Sequence, residues 1–142
     1  MKNVEQMLQG KGQQLLFVPP DATVFDALKL MAEKDVGALV VLEGEKLAGI
    51  FSERDYARKI ILLGKSSKET LVREIMTDKV LCVRPEQTVQ QCMALMTEKR
   101  IRHLPVLDHK KVIGIISIGD VVKETISEQK FIIEQLESYI HQ

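Results

Sequence analysis

The chain has 142 residues, of which 45% are hydrophobic and 28% charged, and these proportions are ordinary for one compact globular module. Its 20 basic and 20 acidic side chains cancel, so we expect neither a nucleic-acid partner nor an anionic membrane surface. No apolar run reaches the roughly 18 to 20 residues of a membrane span and no signal peptide is evident, so we expect a cytoplasmic protein.

The first half of the chain alternates between helix-like and strand-like periodicity. The predicted segments are a helix over residues 2–9, a strand over 15–18, a helix over 23–35, a hairpin of strands over 38–42 and 47–51, and a helix over 52–64. We expect Gly10 to end the first helix and Thr23 to cap the second.

The second half repeats this order after a polar stretch at residues 65–69 that has no apolar periodicity and is typical of a linker. The predicted segments are a helix over 71–76, a strand over 80–83, a helix from 88, strands over 103–107 and 112–117, and a helix from 117.

An offset of 65 residues superposes the chain on itself without a gap. It pairs Thr23 with Thr88 and Gly49 with Gly114, among others. A repeat of this length that occurs twice predicts two half-domains that pack about a pseudo-two-fold axis.

Each half contains one Ser-x-x-Asp sequence where a predicted strand runs into a helix, at Ser52 and Asp55 and again at Ser117 and Asp120. Such a junction supplies backbone donors for an anion and a carboxylate that can accept from sugar hydroxyls, which suits a nucleotide. The alternative is a capping box that only satisfies the helix's own first amides. Thr23 and Thr88 begin similar sequences that indicate no ligand.

The two copies resemble a pair of CBS domains, the Bateman module of small stand-alone bacterial proteins. The resemblance covers about residues 11–127 and is carried by the stretches at 51–59, 75–77, 100–106 and 116–120. It implies an α/β (α+β) fold of two tandem βαββα repeats. The expected boundaries are an N-terminal helix over 1–10, repeat 1 over 11–64, a linker over 65–70, repeat 2 over 71–127 and a C-terminal helical extension over 128–142.

The resemblance also implies a regulatory protein that binds an adenine nucleotide between the repeats, with AMP expected first and NAD(H), ADP or ATP as alternatives. The Asp would hold the ribose diol, and the hydroxyl would lie near the phosphate. The implied adenine contacts are Gly12, Leu16, Gly37, Ala38 and Leu39 for the Ser117/Asp120 site, and Thr77, Leu81, Cys82, His103 and Leu104 for the Ser52/Asp55 site.

Phosphate requires cations, and the chargeable residues nearest these corners in sequence are Arg54, Arg58, Arg102 and His103. Exposed charge, a surface ion pair for Arg102 and a core role for His103 are the structural alternatives. Gly119 leaves room for phosphate, and Arg102 and His103 belong to the same repeat, so we expect the tighter site at Ser117/Asp120.

No residue pattern favours catalysis or a metal. Cys82 and Cys92 are expected to be buried thiols, and the three histidines lack ligand spacing with one another. We therefore expect no enzyme and no metal. A structural or dimerisation module without a ligand, and an enzyme acting on its bound nucleotide, are the alternative functions.

Apolar residues continue along the last predicted helix beyond the resemblance, at Ile126, Phe131, Leu136 and Ile140 among others. Packing within the monomer is one explanation. We expect instead a homodimer contact, since CBS pairs commonly assemble as dimers, and an unidentified protein effector that responds to the ligand.

Overall fold

The computed structural model describes residues 2–12 and 15–141; Met1, Gln13, Gln14 and Gln142, which the predicted segments include, lie outside the described residues. Its elements, in chain order, are α1 (Val4–Lys11), β1 (Phe17–Val18), α2 (Val24–Lys34), β2 (Ala38–Glu43), β3 (Lys46–Ser52), α3 (Glu53–Tyr56) continued by a π-helical turn (Ala57–Ile61), α4 (Val72–Ile75), α5 (Val89–Lys99), β4 (His103–Asp108), β5 (Lys111–Ser117) and α6 (Ile118–Ile140).

The two sheets confirm the predicted repeat and the mixed α/β fold. In the first sheet, β1 runs parallel to β2 and β2 runs antiparallel to β3; in the second, β4 and β5 form the equivalent antiparallel pair. Both hairpins carry a register shift at the same place, between Val41 and Leu42 and between Val106 and Leu107. These positions are 65 residues apart, so the irregularity belongs to the repeated unit.

The predicted strand over 80–83 is wrong, because its only ladder contact is one isolated bridge between Val83 and Val106. In repeat 1 the corresponding strand pairs at two positions, including Phe17 with Val40. The offset of 65 places Pro105 where repeat 1 has Val40. Proline has no N–H to donate, so the third strand of repeat 2 cannot extend its ladder there.

Three helix predictions also need correction. Helix α1 continues through Gly10 to Lys11 and ends at Gly12, which has the left-handed φ of 68° that glycine adopts without strain. The helix predicted over 52–64 changes to a π-helical turn at Ala57. Among the described residues, no helix is both long and apolar enough to cross a membrane.

The two repeats exchange the helices that precede them. Val72 and Ile75 of α4, which precedes repeat 2, are buried in the core of repeat 1. Val4 and Leu8 of α1, which precedes repeat 1, are buried in the core of repeat 2. A third apolar cluster joins the two hairpins through Val40 and Val112. This exchange makes each half depend on the chain of the other.

Glycine at position 49 is required by the close approach of α4. A Cβ on Gly49 would lie 2.7 Å from the Thr77 backbone oxygen and 2.8 Å from Met76 Sδ, whereas one on Gly114 would lie 2.7 Å from a Leu8 methyl carbon. We expect Gly49→Ala to lower the free energy of unfolding by about 1 to 3 kcal/mol, because backbone must move. Gly114→Ala should cost less, since a leucine methyl can rotate away. Urea denaturation of both variants measures this difference.

Gly10→Ala provides the control. Nothing lies within 4 Å of the position a Cβ would take on Gly10, which is inside α1. The substitution should raise stability by about 0.5 to 1 kcal/mol through helix propensity. Equal losses at positions 49 and 114 would contradict the role given to the Thr77 backbone.

Candidate functional site

A cavity of about 490 Å³ lies between the two repeats at the end of β3, and its volume is within the usual range of small-molecule sites. Both repeats contribute to its walls. The lining residues are Gly37, Ser52, Glu53, Arg54, Asp55, Arg58, Lys59, Thr77, Lys99, Arg100, Ile101, Arg102 and His103.

Ser52 and Asp55 form a complete capping box at the start of α3. The Ser52 backbone N–H donates to Asp55 Oδ2 at 3.0 Å, and the Asp55 N–H donates to Ser52 Oγ at 3.2 Å. The Ser52 hydroxyl also lies 3.1 Å from Asp55 Oδ2. Because these contacts keep Asp55 against the helix start, its carboxylate is only 8% exposed and has one fixed orientation.

The second carboxylate oxygen of Asp55 faces the end of α4. Asp55 Oδ1 accepts a hydrogen bond from Thr77 Oγ1 at 3.2 Å and lies 3.5 Å from Lys59 Nζ. Lys59 Nζ in turn donates to the Ile75 carbonyl at 2.9 Å. The exchanged helix α4 therefore positions two of the groups that hold this carboxylate, and sequence offset alone does not predict that contact.

Cations dominate the rest of the cavity wall. Arg54, Arg58 and Lys59 come from repeat 1, and Lys99, Arg100 and Arg102 come from the end of α5 and the start of β4 in repeat 2. Glu53 and Asp55 are the two carboxylates of the lining. Arg54 Nη1 donates to the Arg100 carbonyl at 3.2 Å, so the two walls meet across the repeat boundary. Six cations and two carboxylates make this a positive cavity in a chain of zero formal net charge.

The Ser117/Asp120 corner has the same capping box but different surroundings. The Ser117 N–H donates to Asp120 Oδ2 at 2.8 Å, and the Asp120 N–H donates to Ser117 Oγ at 3.1 Å. Lys11 of α1 also donates to Asp120 Oδ2, at 2.7 Å, and to the Ile115 carbonyl at 3.0 Å. Burial by itself would raise the pKa of Asp120, but the Lys11 ammonium and the Ser117 hydrogen bonds outweigh burial and lower that pKa.

The cavity beside Asp120 is smaller, at about 160 Å³, and lies against α1. Two of its lysines are paired, Lys11 with Asp120 and Lys2 with Glu124, both at 2.7 Å. This corner therefore offers a ligand less space and less uncompensated positive charge than the Ser52/Asp55 corner.

These positions overturn the argument that ranked Ser117/Asp120 first. Arg102 and His103, assigned to that corner by sequence, line the Ser52/Asp55 cavity, and the His103 ring lies 3.5 Å from where a Cβ on Gly37 would stand. Burial lowers the pKa of His103, the charges of Lys11 and Arg102 lower it further, and Asp120 opposes them. Gly119 lies instead on an open groove along α6 with Val122.

The predicted adenine contacts fall into two groups. Gly37, Thr77 and His103 line the larger cavity, although Gly37 was expected at the other site. The remaining ones do not line it; they are Gly12 at the end of α1, Leu16 against the repeat 1 core, the buried strand residues Ala38, Leu39 and Leu104, the 42% exposed Leu81, and Cys82. Burial raises the pKa of the Cys82 and Cys92 thiols.

Lys59, Lys99 and Arg100 line the cavity but were missed from the sequence. Lys59 is four residues after Asp55, and this helical spacing was an available signal. Lys99 and Arg100 end a helix in the other repeat, so no local pattern relates them to Ser52. Over residues 2–12 and 15–141, no group of three or more His, Cys, Asp or Glu side chains could hold a metal ion.

A capping box by itself does not identify this site. Thr88 and Gln91 form a complete capping box at the start of α5, and Thr23 accepts from the Asp26 N–H at the start of α2. What distinguishes the Ser52 corner is the cavity and its cations, which the other helix starts lack in this combination.

Comparison with known proteins agrees with this architecture. A family model described as the CBS domain matches the chain twice, over residues 12–62 and 72–127. The chain is 45% identical over 146 residues to the CBS domain-containing protein CBSX3, mitochondrial, of Arabidopsis thaliana, covering 96% of this chain and 71% of that protein.

Solved structures give the same result. A protein with CBS domains from Burkholderia ambifaria MC40-6 superposes with a TM-score of 0.86 at 54% identity, covering 90% of this chain and 96% of that chain. The CBS domain pair of protein MJ0100, solved in complex with 5′-methylthioadenosine and S-adenosyl-L-methionine, shares the fold at a TM-score of 0.78 and 22% identity, covering 90% and 98%.

Proposed function

Because this chain belongs to the CBS-domain family and contains a pair of CBS repeats, we propose that it is a regulatory module that binds an adenine nucleotide at the Ser52/Asp55 cavity. Proteins of this family are generally regulatory and not catalytic. Binding would change the relation of the two repeats, since the cavity is built from both. An unidentified protein effector would respond to that change.

One observation carries the proposal: a cavity of about 490 Å³ with six cationic side chains, in a chain of zero net charge. Arginine and lysine side chains grouped in a cleft attract phosphate and make charge-assisted hydrogen bonds with it. The adenosine-containing ligands of the MJ0100 domain pair support the nucleoside half of the proposal.

Each residue has a proposed role that follows from its position. Asp55 would accept hydrogen bonds from the ribose diol, because Ser52 and Thr77 hold its carboxylate in place. Arg58 and Arg102 would contact phosphate. Gly37 leaves space beside His103 for the base. AMP, ADP, ATP and NAD(H) all carry the adenosine half that these contacts recognise.

Ligand-induced stabilisation tests the proposal. We expect the melting temperature to rise progressively with millimolar AMP, ADP, ATP or NAD(H), as linkage between binding and folding requires. Guanine and cytosine nucleotides at the same concentration are the controls for phosphate binding without adenine recognition. The absence of any shift with all four adenine ligands would contradict nucleotide binding.

A second candidate is a structural module in which the corners are only helix caps. The complete capping boxes and the 8% exposure of Asp55 favour it. This candidate predicts no ligand stabilisation and leaves the grouping of cations unexplained. We further propose that the protein has no catalytic activity. The cytoplasmic location stays a prediction, since the Arabidopsis relative is named as mitochondrial.

We also propose that two copies associate through α6, a helix of 23 residues or about 35 Å. Residues Val122, Ile126, Gln129, Ile133, Leu136 and Ile140 are alternately four and three residues apart. This spacing forms a continuous stripe, here called the α6 stripe, and is typical of helices that pair side by side. Its five apolar members are between 44% and 72% exposed, so packing within the monomer does not account for them.

A further inference from the structure

We infer that the ligand of the Ser52/Asp55 cavity carries at least two phosphate groups, and that Arg100 and Arg102 of repeat 2 contact the phosphate beyond the first. This inference rests on the proposed function and narrows its ligand. It favours a nucleoside diphosphate or triphosphate, or a dinucleotide, over the AMP expected from the sequence.

The first argument is the amount of positive charge that has no partner. Over residues 2–12 and 15–141, no carboxylate lies within 4 Å of the guanidinium groups of Arg58, Arg100 or Arg102. Their side chains also make no hydrogen bond in that part of the chain. Like charges grouped in one cavity repel one another, so an anion that contacts all three relieves a cost that a neutral ligand leaves in place.

The second argument is charge balance. A terminal phosphate carries a charge of about −1.5 to −2 near neutral pH. Six cations against two carboxylates leave an excess of four positive charges in the cavity wall, which one phosphate does not neutralise. Each additional phosphate adds further negative charge, and a diphosphate or triphosphate therefore matches this wall more closely than a monophosphate does.

The third argument is the placement of the cations on two walls. Arg58 follows Ser52 on the helix of repeat 1, whereas Arg100 and Arg102 belong to repeat 2. The hydrogen bond of 3.2 Å from Arg54 Nη1 to the Arg100 carbonyl brings the walls together at the boundary. A ligand with one phosphate can satisfy one wall, while a chain of phosphates spans both.

The other corner provides an internal comparison. Its lysines Lys2 and Lys11 are already paired with Glu124 and Asp120. The same repeat architecture thus exists with compensated charge, so the unpaired arginines of the larger cavity are not a requirement of the fold.

Titration calorimetry without Mg²⁺ tests the inference with adenosine, AMP, ADP and ATP on the intact protein. We expect ADP and ATP to bind at least about tenfold more tightly than AMP, since one added charge-assisted contact contributes that much. Inorganic tripolyphosphate should displace ADP. S-adenosylmethionine, which is positive at its sulfur, should bind more weakly than AMP.

The double variant Arg100→Gln with Arg102→Gln should reduce the ratio of ADP to AMP affinity towards one. The matched control is Lys29→Gln with Lys46→Gln, which removes the same two charges at exposed positions outside the cavity and should keep the ratio. Melting curves verify that both variants are folded.

The outcomes separate this inference from the proposed function. AMP binding as tightly as ADP and ATP would overturn the inference and leave nucleotide binding intact. An unchanged ratio in the Arg100/Arg102 variant would overturn the assignment to repeat 2. Binding of none of the four ligands would overturn the proposed function and the inference together.

Discussion

Asp55→Ala is expected to weaken adenine nucleotide binding by about ten- to hundredfold. The Asp55 carboxylate is held by Ser52 and Thr77 beside the cationic cavity, so ribose hydroxyls that donate to it would form charge-assisted hydrogen bonds. Such bonds contribute about 1.5 to 3 kcal/mol, and this free energy corresponds to that range of affinity. Calorimetry on the folded variant gives the value directly.

Asp120→Ala is the matched variant, because Asp120 forms the same capping box in the other repeat. We expect it to change the high-affinity binding by less than about threefold, since Lys11 already occupies one oxygen of that carboxylate and the adjoining cavity is small. Both variants should lose about 1 kcal/mol of stability with their caps. A larger affinity loss in Asp120→Ala would restore the ranking made from the sequence, and unchanged affinity in both would support the capping function.

Removal of residues 129–142 is expected to convert a dimer into a monomer. The deleted segment contains Ile133, Leu136 and Ile140 of the α6 stripe. Burial of even two such side chains contributes about 3 kcal/mol, so dimer affinity should fall by at least about a hundredfold. Light scattering over a range of protein concentrations measures the change in mass.

A pair of point variants tests the α6 stripe without truncation. Leu136→Glu introduces a charge within the stripe, whereas Phe131→Glu introduces the same charge about 140° away around the helix. Both residues are exposed in the monomer, so both variants should fold. Dissociation by Leu136→Glu alone is the expected result. Equal dissociation by both, or by neither, would show that this stripe is not the contact.

The elements were predicted best where the signal is local. The helices after Thr23 and Thr88 and the two hairpins lie close to their predicted bounds, because caps, turns and periodicity are encoded within a few residues. The strand over 80–83 failed because a strand exists only with a neighbour, and Pro105 in that neighbour lacks the donor. The predicted domain boundaries remain predictions, although α4 packs on repeat 1 and α1 on repeat 2.

The site divides in the same way. Ser52 with Asp55 and Ser117 with Asp120 were identified as two equivalent corners, and both form the expected junction of strand and helix. Arg54, Arg58 and Arg102 were identified as candidate phosphate ligands, and all three line the larger cavity. Their roles in binding stay predictions.

The sequence by itself determined the repeat, the family and the residues with nucleotide-binding chemistry, because a gapless offset of 65 residues and short motifs survive in the order of the chain. The tertiary structure alone decided which corner has the cavity. That choice depends on the exchange of α1 and α4, which brings Lys11 to Asp120 and Thr77 to Asp55. Contacts between residues more than 20 positions apart are set by packing of the two halves, and no local pattern in the sequence specifies them.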